Sequence, residues 1–142
     1  MIDTFTGASR ITMRASAEKV WEALTNPEIV KQYLFGTEVI SDWKVGSPIR
    51  YKGLWKDKPY EDKGTILELI PNKLLKTTYW SGFSEREDIP ENYLVVSYQL
   101  EAADGETTLT ITTENNPSAA DAEEVSKNWE YVQHLMKDLL EK

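Results

Sequence analysis

Near the C-terminus, Ala122, Val125, Trp129, Val132, Met136 and Leu139 recur at spacings of three and four residues. That spacing stacks side chains on one face of an α-helix. Ser118 precedes Asp121 by three residues in a capping-box-like start, Glu123 and Glu124 lie in the first turn, and Lys137 and Lys142 lie near the end. Acidic residues at the start and basic ones at the end suit the helix dipole. A long amphipathic helix is predicted, and its apolar stripe must lie against something of matching size, which here can only be one face of a sheet.

The rest of the chain supplies that sheet. Ala8 to Met13 has strand length and composition, and Ser16 then offers an oxygen to cap a short helix over Ala17 to Leu24. Asn26-Pro27-Glu28 starts a second short helix, predicted to end near Gly36, because Asn caps and Pro suits a first turn whose N–H has no partner anyway. From Val39 to Thr113, strand-length segments are punctuated by Gly46-Ser47-Pro48, Lys56 to Pro59, Pro71-Asn72 and Asp104-Gly105, the signature of an antiparallel meander. Asp104-Gly105 separates Tyr93–Leu100 from Thr107–Thr113, and a Gly tolerant of positive φ is what a tight hairpin needs. The order is strand, two short helices, antiparallel strands and long helix, which describes an α+β sheet wrapped round its C-terminal helix.

Length and charge narrow the function. With 142 residues the chain is expected to form one domain, residues 1–142, without a linker. A net charge of -8 and the lack of a Lys/Arg stripe argue against nucleic acid and anionic membranes as partners. No window approaches the roughly 18 apolar residues of a membrane span, so the expected location is cytoplasmic. The absence of cysteine excludes disulfides, thiol catalysis and thiolate metal sites.

Four stretches in this order resemble one family: Ala15–Thr25 with Asn26-Pro27, Trp43–Pro48, Gly64–Leu75, and the final helix bearing Trp129. The chain is similar over nearly its whole length to homologues of the activator of heat-shock protein 90 ATPase, within the START and birch-pollen-allergen-like helix-grip (SRPBCC) superfamily. The resemblance implies a helix-grip fold: a seven-stranded antiparallel sheet gripping the last helix, two small helices closing one end, and a cavity between. The eukaryotic activator is matched over its C-terminal domain only, not over the N-terminal domain that takes a central part in chaperone stimulation. Superfamily relatives include lipid and steroid carriers, hormone receptors and polyketide cyclases, and a fold alone does not choose among them.

Aromatic residues give the candidate site. Trp55, Tyr79, Trp80, Tyr98 and Trp129 fall on strands and helix that should face each other, where they either line a pocket or fill the core. Trp129 is the first choice for a pocket wall, with Val132, Met136 and Tyr51 beside it. Tyr79 and Trp80 are adjacent on a strand, so only one of them faces inward. Tyr33, Phe35, Trp43 and Phe83 sit in or beside loops and helix ends, where they either gate the cavity mouth or plug the sheet's end. Arg50 alternates with Tyr51; turned inward it would anchor a carboxylate or carbonyl, but a buried guanidinium needs a partner and an outward Arg is more usual.

Other chemistry has little support. His134, the only histidine, lies off the centre of the apolar stripe and reads as exposed or flanking. Glu61-Asp62, Glu85-Glu87-Asp88 and Asp121-Glu123-Glu124 lack calcium-loop spacing and read as solvated surface. Nucleophile elbows and Gly-rich phosphate loops are missing, and neither cofactor nor metal is called for. The expected partner is a small apolar or aromatic molecule or lipid. A protein-interaction module, with a chaperone contact, ranks second, and a cyclase or aromatase-type enzyme third.

Overall fold

Helix starts fall where side-chain oxygens are available to satisfy free backbone donors. In the computed structural model, which describes residues 5–34, 36–55, 57–81 and 86–141, helix α1 spans Ala17–Thr25 behind Ser16, whose Oγ accepts from the Lys19 amide at 3.2 Å. Asn26 serves two helices: its N–H donates to Glu22 O at the end of α1, and its Oδ1 accepts from the Glu28 amide at the start of α2, Pro27–Tyr33. Gly36 follows with φ +79°, a left-handed conformation that costs glycine least. The long helix α3 covers Ala119–Leu140, with Ser118 Oγ accepting from the Asp121 amide at 3.0 Å.

Seven strands form one antiparallel sheet: β1 Phe5–Met13, β2 Glu38–Ser41, β3 Pro48–Trp55, β4 Lys58–Ile70, β5 Leu74–Tyr79, β6 Leu94–Ala103 and β7 Glu106–Asn116. Their order is β1-β7-β6-β5-β4-β3-β2. This is the expected α+β helix-grip architecture. The first strand begins at Phe5 rather than Ala8, because pairing with β7 continues to Asn116 across an irregularity between Phe5 and Gly7. Asp104 and Gly105, with φ of 53° and 82°, turn the hairpin between β6 and β7.

Alternation along the strands puts Met13, Ile49, Ile66, Leu75, Val96, Leu109 and Ile111 on the inner face, where they are almost fully buried with Val20 and Val30 from the small helices and Met136 from α3. The helix does not lie centrally over this face. It rests on β1 and β7, and its first half comes close to the backbone at Gly7: a Cβ placed there would come within 2.4 Å of Ser126 Oγ and 2.7 Å of Ala122 O. Gln133, wholly buried, donates from Nε2 to Leu109 O at 3.0 Å and fastens the helix to this side. Strands β3, β4 and β5 make no comparable contact with the helix, and large side chains project into the space between.

Candidate functional site

A cavity of about 480 Å³ fills that space. Its apolar wall comes from both layers: Leu94 and Val96 on β6, and Val125, Trp129 and Val132 on α3. Trp129 meets Tyr98 edge-on, with ring centroids 5.6 Å apart and planes at 88°, an arrangement in which the ring edge of one aromatic meets the negative face of the other. Leu34 and Leu54 stand at the wall as well, and Leu54 is 64% exposed, which places it at the opening.

The opposite wall is polar and built by register. Tyr51 on β3 pairs with Asp62 on β4, so their side chains share the inner face. Tyr79, at the end of β5, donates its hydroxyl to Asp62 Oδ2 at 2.6 Å and packs edge-on against Tyr51 at 6.2 Å. Tyr60 hydrogen-bonds to Thr37 beside them. Asp62 is only 9% exposed; a buried carboxylate needs such donors.

Burial governs the tyrosines. It pushes the Tyr51 phenol up to about 12, an effect partly offset by its interaction with the Tyr98 hydroxyl and reinforced by the charge of Asp62. Tyr79 is raised well above the ordinary phenol value by burial first, then by the Asp62 charge and its hydrogen bond to Asp62. Tyr98 is raised well above it by burial and by its tyrosine neighbours. All three therefore stay neutral near pH 7 and present hydroxyl donors rather than bases. The described lining residues include no His, Lys or Arg.

These shifts carry a consequence for stability. A phenol whose folded pKa exceeds its unfolded value of about 10 contributes stability that is complete below pH 10 and is lost as pH rises toward the folded value. For Tyr51, a rise from 10.0 to about 12 corresponds to about 3 kcal/mol at full effect. Urea midpoints are expected to hold level up to about pH 9 and to fall steeply above about pH 10, with Tyr51→Phe flattening the fall. A midpoint unchanged to about pH 11.5 would contradict this.

The structure brings together Trp129, Val132, Tyr98, Tyr79 and Tyr51 of the sequence candidates. Met136 lies one turn beyond Val132, 1% exposed in the core and away from the cavity wall. Trp80 points oppositely to Tyr79: its Nε1 donates to Arg86 O at 3.3 Å and Lys63 Nζ sits 5.7 Å from its ring centroid. It faces a neighbouring depression with Arg86, Asn92 and Asp121. Tyr33 is buried, its hydroxyl donating to Ala23 O at 2.6 Å to tie α2 to α1, and Trp43 packs half-buried against the core. The Trp55 side chain, Phe35 and Phe83 lie outside the described residues. His134 is exposed, and Arg50 points outward to Glu61 at 3.6 Å.

Asp62 overturns the reading of Glu61-Asp62 as solvated surface, because only Glu61 faces solvent. The signal was the alternation Tyr60, Asp62, Gly64, Ile66, which puts the carboxylate on the same face as a core isoleucine. Among the described residues no group of three or more His, Asp or Glu could hold a metal ion, and no helix is long and apolar enough to cross a membrane.

Comparison with known proteins agrees with this architecture. The family model described as "Activator of Hsp90 ATPase homolog 1-like protein" matches residues 14–141. A solution structure from Cytophaga hutchinsonii is 41% identical, with 99% of this chain and 96% of that one covered and a TM-score of 0.84. The Aha1 dimer from Colwellia psychrerythraea is 25% identical over 96% of each chain, with a TM-score of 0.75. Ara h 8.0201, at 12% identity, covers 97% of this chain and 98% of its own with a TM-score of 0.76, a likeness of fold alone. No curated protein matches the chain.

Proposed function

The chain belongs to the Activator of Hsp90 ATPase homolog 1-like family, and from that premise we propose that it is a binding protein, a carrier or sensor, for a small apolar molecule held between the sheet and α3. The observation that carries this reading is the cavity of about 480 Å³, within the range of roughly 300–1,000 Å³ in which small-molecule sites fall. Its composition supports the same reading: aliphatic and indole groups on one wall, a few convergent hydroxyls and one carboxylate on the other. Apolar contact would supply most of the affinity, and the polar groups would fix orientation.

The test is native mass spectrometry of the purified chain, followed by denaturation and extraction of anything that travelled with it. An apolar passenger at one per 16.3 kDa chain is expected, and adding it back at a hundredfold excess over its Kd should stabilise the fold by about 2.7 kcal/mol. A bare chain mass, together with no melting shift across lipids, sterols and aromatic compounds, would remove the basis for the proposal.

A further inference from the structure

Resting on the ligand-binding reading above, we infer that the cavity selects apolar molecules whose polar end is a hydrogen-bond donor, an alcohol, phenol or amine, and excludes carboxylates. The charges on its walls point this way. Asp62 is the single charged side chain among the described lining residues. The basic residues nearest it in the sheet, Arg50 and Lys63, pair with each other across β3 and β4 on the outer face. There they are engaged by Glu61 and Asp88 respectively. A ligand carboxylate would lose its water, find no counter-charge among the described lining residues, and face a like charge across a poorly polarisable space. The net charge of -8 adds repulsion at longer range.

A donor group has the opposite fate. A carboxylate is an acceptor only, with about four lone-pair sites, so Asp62 can hold several donors at once, Tyr79 at 2.6 Å being one of them. The phenols of Tyr51 and Tyr98, which also line the cavity, can accept from the same ligand group or donate to its oxygen. An aromatic body would lie along Trp129, Val96 and Val132, with its polar end turned to β3 and β4.

Three probes of one shape separate the possibilities: 2-naphthol, 2-methoxynaphthalene and 2-naphthoic acid, titrated into the full chain at pH 7 by equilibrium dialysis. The expected order is naphthol tightest, the methoxy compound weaker, and the naphthoate weaker than naphthol by about tenfold or more. Asp62→Asn, which keeps an acceptor for Tyr79 while removing the charge, should narrow the naphthol-to-naphthoate gap to about threefold or less. If that variant fails to fold by circular dichroism, the order on the unaltered chain decides alone. Naphthoate binding as tightly as naphthol would overturn the donor selection while leaving the cavity occupied. Failure of all three probes would bring down the ligand-binding reading and this inference with it.

Discussion

Met136→Ala is expected to destabilise the fold by about 2–5 kcal/mol. The side chain is 1% exposed among Met13, Leu109, Ile111 and the other core residues, so truncation both removes buried methylene and thioether surface and leaves a void that tightly packed neighbours cannot close. Net stabilities of domains this size are about 5–15 kcal/mol, so the loss is a large part of the whole. Chemical denaturation should show a lower midpoint with an unchanged slope. A change below about 0.5 kcal/mol would mean that Met136 borders the cavity, where space already exists.

Trp129→Ala, two helical turns earlier, should behave differently. Trp129 is half-buried, lines the cavity and packs edge-on against Tyr98. Its removal enlarges an existing space instead of opening a new one. Binding of an aromatic probe is expected to weaken by at least about 2 kcal/mol, roughly thirtyfold, the scale of a buried aromatic anchor. Trp129→Phe, which keeps a ring against Tyr98, should recover much of it. Isothermal titration with each variant checks this, and equal affinity in all three would place the probe elsewhere.

The contrast between these two residues marks what could be read from the chain alone. The final helix, the hairpin at Asp104-Gly105 and the two capped helices were legible because each rests on a local rule: three-and-four spacing, a positive-φ turn, a side-chain oxygen before a helix. Periodicity put Met136 and Trp129 on the same stripe, but it does not say which part of the stripe meets packed core and which meets open space. That depends on where the helix is seated, and Gly7 and the Gln133 hydrogen bond to Leu109 set it on the β1–β7 side, contacts made across more than a hundred residues of chain in the first case and 24 in the second. Tyr79 and Trp80 could not be separated on β5 because both alternating sets there contain apolar residues; the bridge between Lys63 and Trp80 turns Trp80 outward. Asp62 was hidden for another reason. Beside Glu61 it reads as one more solvated charge, although its alternation with the core Ile66 along β4 sets it inward, as does its register with Tyr51.

The most direct test of binding in the cavity is an amide-shift titration of the isotope-labelled chain with 2-naphthol. The expected result is a saturable change at one equivalent, confined to the amides of Tyr51, Asp62, Val96, Tyr98 and Trp129, all of which line the cavity, and their neighbours. Shifts that do not saturate, or that gather instead on the exposed apolar residues Ile40, Leu67 and Ile70 of the sheet, would contradict it.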